Sequence, residues 1–467
     1  MRWRALAPAL LLLAAPAAAQ ENRDLDLIPN AVQAAPPPPA EDKPQTSDGG
    51  QRIYLENAAS LASRRAMLVP LPPPATPDWE ERLFLDMRKD WQLAPKLSLA
   101  YSGRLNFRAE DTLAFPSHEN VRHDFRELYA SWEPAERVWL DVGRINLKSG
   151  VAAGLNPTDF FKTRAVVEPL SADPAVLRED RLGAFMLRGQ RLFEGGALTA
   201  AVAPKLDDPG PIYTNLNLPT LRPMFDRTNS HDRVLLKASA DLGADVNPEL
   251  LYYREGSASR FGANLTRSVG QKTVLYGEWA GGRQSSLIDQ ALAYGRETGT
   301  IPGFAPSVLP ESTHQGFQNQ LALGASYTTE SKVTFNLEYH YSEAAFSPQD
   351  WRNWFRVGEA NTGRPPITSA LWYIRNYALD QQQKLSRHET FLRADWNDAF
   401  VPHLEITGFV STDLHDGSSL VQMTADYDLS NQWSVGALAA GALGAKRSSN
   451  GSLPQSGSLL LKLERFF

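Results

Sequence analysis

The sequence predicts an all-β protein: a transmembrane antiparallel β-barrel of about 18 strands, or 16 if two weak segments are loops, with short periplasmic turns and long external loops. Three observations predict it. Apolar and polar residues alternate with period two in run after run from Glu81 to the end. Short and long connections alternate between those runs, as they do when one end of a barrel faces the cell interior and the other the outside. The chain closes on Leu459, Leu461, Leu463 and Phe467 pointing one way, with Lys462 and Glu464 pointing the other. Such a strand suits a wall with lipid outside and water inside; a half-buried last strand of a soluble sandwich is the plainer alternative.

The chain has 467 residues, no cysteine, 21% charged and 42% apolar residues, 32 glycines and 33 prolines. The length suits one large barrel, and the glycine and proline content suits many turns. Lack of cysteine excludes disulfides, thiolate zinc sites, cysteine nucleophiles and a lipid-acceptor thiol. A formal charge of −6 gives no support to nucleic-acid binding.

Met1-Arg2-Trp3-Arg4, the apolar run Ala5 to Pro16 and the small residues Ala17-Ala18-Ala19 read as a signal peptide over residues 1–19. No later stretch reaches the ~18 consecutive apolar residues that a spanning helix needs. Residues 20–50, with Pro36 to Pro39, read as a Pro-rich periplasmic arm open to periplasmic partners. The barrel then occupies 51–467. A second proline cluster, Pro70 and Pro72 to Pro74, precedes Trp79. Between the clusters, 52–58 is a candidate first strand, and a helix from Ala58 to Ala66 competes with it.

From Glu81, Leu83, Leu85, Met87 and Trp91 alternate with Asp86, Arg88 and Asp90. A turn at Ala94-Pro95 follows. Then Leu97, Leu99, Tyr101, Leu105 and Phe107 alternate with Ser98, Ser102, Arg104, Asn106 and Arg108, completing a hairpin. Arginines repeated on one strand face fit a hydrated wall better than a sandwich interior. Further short turns are expected near 134–136, 194–196, 243–247, 269–271, 329–331, 398–402 and 429–431. Long connections are expected near 109–122, 148–180, 205–229, 284–315 and 342–385. About 17 strands follow from Glu81, and an even total requires one before it.

His123-Asp124-Phe125-Arg126-Glu127-Leu128 and, after a short turn, Val142-Gly143-Arg144-Ile145-Asn146-Leu147, then Gly154 to Phe161, resemble the alginate-export family and its porin-like relatives. The resemblance implies an 18-stranded barrel with a charged lumen that passes an exopolysaccharide. The final strand likewise resembles that of bacterial outer-membrane barrels, where the last aromatic residue, here Phe467, assists the barrel-assembly machinery.

Opposite the apolar face, the candidate lumen residues are Arg104, Arg108, Arg233, Lys237, Arg260, Arg393 and Lys462, with Asp86, Glu127, Asp241, Glu278, Glu338, Asp395, Glu405, Asp426 and Glu464. They either meet a polar solute, through size and charge rings, or brace the barrel as ion pairs. Arg144 is anomalous: strict alternation from Val142 places it toward lipid, at ~2–4 kcal/mol if near the midplane. Either a β-bulge at Gly143 turns it inward or it snorkels at headgroup level. Connections 148–180 and 342–385 are candidates to fold into the bore. In the second, Trp351, Trp354, Trp372 and Tyr373 either stack on sugars or form the loop's own core. Trp91, Trp132, Trp279, Trp396 and Trp433 fit interfacial girdles against outer-membrane lipid.

No HExxH spacing, nucleophile elbow or phosphate loop is present; Gly281-Gly282 is a lone pair. No catalytic residue, metal or cofactor is expected. The leading reading is a passive channel; a plugged structural or docking barrel and an outer-membrane enzyme on lipid or glycan are the alternatives.

Overall fold

Eighteen strands form one antiparallel sheet that closes on itself: each pairs with its neighbours in sequence, and the first also pairs with the last. The computed structural model describes residues 51–71, 77–111, 121–166, 171–212, 222–243, 245–303, 307–311 and 315–467. The expected signal peptide, the Pro-rich arm and Pro72 to Pro74 lie outside the described residues. The strands are β1 (Gln51–Arg64), β2 (Trp79–Ala94), β3 (Leu97–Glu110), β4 (Val121–Ala135), β5 (Val138–Ile145) and β6 (Ala184–Phe193). Next come β7 (Gly196–Ala203), β8 (Arg233–Ala240), β9 (Val246–Glu255), β10 (Ala258–Val269), β11 (Thr273–Gln284) and β12 (Gly316–Thr328). The last are β13 (Val333–Ser342), β14 (His388–Trp396), β15 (Leu404–Asp413), β16 (Ser419–Ser430), β17 (Trp433–Leu443) and β18 (Gln455–Phe466).

Closure follows from register. Tyr54 faces Phe466 and Leu61 faces Leu459 across the β1–β18 seam, so no edge strand is left unpaired. The same seam corrects two expectations. The first strand runs to Arg64, and the competing helix over its second half does not form. Ala58 and Ala62 are strand residues because their backbone groups complete the β18 ladder, which outweighs the helix preference of alanine. The 16-strand alternative falls with the same observation.

Period two holds around the wall. On β18, Leu459, Leu461 and Leu463 are exposed while Lys462 and Glu464 are partly covered. Leu250 and Leu337, at 65% and 57% exposure, belong to the same outer belt. Trp91, Trp132, Trp279, Trp396 and Trp433 all keep outward parity; Trp396 packs on Phe400 at 4.5 Å, and Arg465 covers the Trp433 ring at 5.4 Å. No helix among the described residues is long and apolar enough to cross a membrane. Leu461→Arg, near the middle of β18 and 56% exposed, is expected to destabilise the folded barrel by about 2–4 kcal/mol, whereas Ser458→Arg on the inward face stays near the parent. Urea unfolding in lipid vesicles measures both; equal effects would contradict the facing.

The eight expected short turns are found. At the other end, two connections break the rule: β9 and β10 are joined by a tight Glu255–Ala258 turn, and β15 and β16 by the short stretch 414–418, not by long loops. Asp241 lies past the end of β8, in the short β8–β9 turn, and not on the wall.

Four long connections carry helices, α1 (Pro174–Asp180), α2 (Phe225–Thr228), α3 (Leu287–Glu297), α4 (Pro348–Ala360) and α5 (Pro365–Asp380). Their starts are legible locally. Ser286 accepts from Asp289 N–H, and Ser347 with Asp350 forms a capping box ahead of Pro348. α3, α4 and α5 bury Leu287, Ala291, Trp351, Trp354, Leu371, Trp372 and Ile374 in a common core at the long-loop end. The loop aromatics therefore pack on each other; the sugar-stacking alternative is not what the fold builds.

Candidate functional site

The inward faces of the strands bound the lumen, and the β5–β6 connection determines how much of it is open. Its first part, residues 147–161, packs into the barrel. Leu147, Phe160 and Phe161 join inward-facing Met186, Ala201, Leu235, Leu251, Tyr253 and Ala280 in a buried core. Phe160 stacks on Tyr253 at 4.7 Å with rings 8° apart. On the arc from β6 to β11 the inserted loop thus covers part of the inner side with apolar packing, beside inward charges such as Lys237 and Glu249.

The second part crosses the bore. Asp180, at the end of α1, receives Nη1 of Arg104 and Nη1 of Arg126, both at 3.0 Å. Those arginines stand on β3 and β4. At its other end Asp173 meets Arg393 on β14, and Ala172 N–H donates to Gln422 on β16 at 2.9 Å. One short segment therefore ties the β3–β4 wall to the β14–β16 wall as a chord. The prediction that 148–180 folds inward holds. Connection 342–385 contributes a helical lid instead, joined to the loops by Arg227–Asp380 at 2.6 Å and by Arg375 donating to Ser452 at 2.8 Å.

Most predicted lumen charges face inward, and the structure gives them partners. Arg104 donates to Asp86 at 2.9 Å and to the Tyr54 hydroxyl at 3.2 Å. Arg108 pairs with Glu110 at 3.5 Å, Lys237 with Glu249 at 3.0 Å, and Arg393 with Asp395 at 2.8 Å. Lys462 lies 3.0 Å from Asp426 and 3.3 Å from Glu464. Arg233 pairs with Glu255 at 3.0 Å beneath Phe161 and is only 1% exposed, so it braces rather than meets a solute. Glu127 accepts the Asn146 N–H at 2.9 Å. Arg260 shares the inward face of β10 with Asn264. Glu338 is 2% exposed and engaged by the inserted loop, so it too is withdrawn from the open lumen. Glu405 remains exposed on the inward face of β15, and Arg52 on that of β1.

Arg144 is the clear correction. Register runs unbroken through Gly143 on both sides of β5, so no bulge turns the side chain inward. Arg144 pairs with Leu128 and Phe185 and keeps the outward side that Val142 and Leu187 share. It sits one residue from the strand end, roofed by residues 223–228: the guanidinium donates to Gly183 O at 2.8 Å and to Pro223 O, with the Phe125 and Phe225 rings at 5.6 and 5.5 Å. The bulge falls one strand earlier. Ser102 pairs with Glu127 and Gly103 with Phe125, leaving Arg126 as the extra residue. That turns both Arg126 and Glu127 inward and brings Arg126 Nη2 to 2.6 Å from Asp86. Sequence reading missed Arg126, Asp173 and Asp180. The run Phe-Arg-Glu-Leu does carry the local mark of a bulge, two polar residues between two apolar ones, since strict alternation from Phe125 would send Glu127 to lipid; nothing local marks loop aspartates as wall partners.

Phe467 is 57% exposed beside the seam, its N–H donating to Ile53 O at 3.0 Å. Among the described residues no three histidines or carboxylates are grouped to hold a metal.

No family model matches the chain, and no curated protein matches it. The structure is similar to solved outer-membrane porins of bacteria. Acinetobacter baumannii OccAB1 aligns over 92% of this chain and 98% of its own, with 9% identity and a TM-score of 0.50. Pseudomonas aeruginosa OccK11 (OpdR) aligns over 91% and 98%, with 12% identity and a TM-score of 0.48. The likeness to OccAB1 is one of fold, a closed antiparallel barrel of 18 strands.

Proposed function

We propose that the chain is an outer-membrane channel giving passive passage to small polar or charged solutes. The observation that carries this reading is the chord of residues 171–180 across a bore whose outside is a continuous apolar belt. An oily exterior places the wall in a bilayer; a charged, narrowed interior replaces part of a solute's hydration and selects by size and charge. In this reading the short turns and both chain ends face the periplasm, the Pro-rich arm meets periplasmic partners, and Phe467 addresses the assembly machinery. Export of an exopolysaccharide, as the alginate-export resemblance implied, would require residues 171–180 to leave the bore, and the likenesses lend that family no support. A second reading, a plugged structural barrel, draws on the helical lid and the apolar packing of the inserted loop.

Reconstitution into planar bilayers is expected to give discrete, ohmic, ion-selective current steps. Folded protein that inserts yet passes no current would favour the plug, and hydrolysis of labelled lipid would favour the enzyme.

A further inference from the structure

The chord needs a fixed root. Just before it, residues 150–158 lie against the inward faces of β11 and β13, where four consecutive backbone N–H groups turn onto two strand carboxylates. Val151 and Ala152 donate to Glu278 Oε1. Ala153 donates to Glu338 Oε1, and Gly154 to Glu338 Oε2 at 2.9 Å. Asn156 Nδ2 at 2.9 Å and the Thr158 hydroxyl at 3.1 Å complete Glu278. The Tyr276 hydroxyl at 2.7 Å and His340 Nε2 at 2.6 Å complete Glu338. The two carboxylates are 1% and 2% exposed, and among the described ion pairs neither has a lysine or arginine partner. The approach is close enough to need glycine: Gly150 has φ +92°, and a Cβ there would lie 2.7 Å from both Glu278 oxygens.

We propose that Glu278 and Glu338 form a two-carboxylate clasp that positions the bore-crossing segment and so sets the size of the passage; the second half of this rests on the channel reading. All four oxygens face donors. A carboxylate is an acceptor at both oxygens, whereas an amide presents an NH₂ to one of those donor sets. Glutamine at either position therefore keeps the volume and breaks the geometry, leaving buried N–H groups unmet. The apolar packing of Phe160 and Phe161 holds the loop in the barrel but does not fix which residues face the opening. Glu278 and Glu338 are thus positioning residues and not contacts of the solute.

The test uses the full chain, which has no native cysteine. Ala152→Cys places one thiol at a position 2% exposed, probed with a water-soluble maleimide in detergent micelles, with folding read from heat-modifiable migration. With the clasp intact the thiol is protected. Adding Glu278→Gln and Glu338→Gln is expected to raise the labelling rate roughly ten-fold or more and to enlarge and destabilise the single-channel current. A folded double variant whose thiol stays as protected as the parent's overturns the clasp. If the parent passes no current, the channel reading fails, and labelling still decides the clasp. Should the double variant not fold, Glu278→Gln alone, which removes the acceptor of the residue 152 N–H, carries the same comparison.

Discussion

Asp86→Ala is expected to destabilise the folded barrel by about 3–5 kcal/mol, the range for removing one partner of a buried ion pair. Asp86 is fully buried on β2. It accepts from Arg104 at 2.9 Å and from Arg126 at 2.6 Å and faces Arg52 at 3.6 Å. Without it, three guanidinium groups converge, and the remaining carboxylate that pairs with Arg104 and Arg126, Asp180, belongs to the loop. The loss is chiefly electrostatic, because two cations in a medium of low polarisability repel strongly at such separations. Asp86→Asn separates charge from shape: it keeps the volume and removes the anion, so its effect should come close to that of alanine. Urea unfolding in vesicles, followed by tryptophan emission, measures both. A loss within about 1 kcal/mol for either variant, as for a solvent-screened pair, would mean that water reaches the network and that the β3–β4 wall is open.

The same network shows what the sequence carries and what it does not. Period two assigned the faces of Arg104, Lys237 and Lys462 correctly because each strand stands between two solvents that differ in kind. The alternation of short and long connections gave the strand count, since it is imposed by the two ends of one cylinder. What failed lies where those constraints are locally suspended. At Arg126 an added residue changes parity without changing composition. At Arg144, just before the strand ends, a roof of loop residues supplies carbonyl acceptors, so an outward arginine need not meet lipid. In the β1 segment the small residues around Ala58 fit a strand and a helix equally, and only the distant β18 decides. The clasp was out of reach for a different reason: Glu278 and Glu338 meet residues more than a hundred positions away through backbone N–H groups, which leave no signature in side-chain pattern.

The lid offers the complementary case, a loop whose packing the sequence did foreshadow. Trp354 has no exposed surface; its Nε1 donates to Leu371 O at 3.0 Å, and its ring meets Trp372 edge-on at 5.4 Å. Arg375 lies 5.2 Å from the same ring while donating to Ser449 O at 2.7 Å, so one side chain links the helices to the β17–β18 loop. Trp354→Ala is expected to lower the stability of this unit by about 3–5 kcal/mol, since it leaves a large cavity among rigid neighbours. The loss should be local. The helices are joined to the wall through loop contacts such as Trp372 Nε1 to Val69 O, and the strand ladders run on beneath them without their help. Amide exchange over residues 348–380 should therefore rise roughly a hundred-fold or more while the β-strand amides keep their protection. Equal loosening of strands and helices would show instead that the lid and the barrel unfold as one unit, and that the chord beneath them is held from above as well as from the walls.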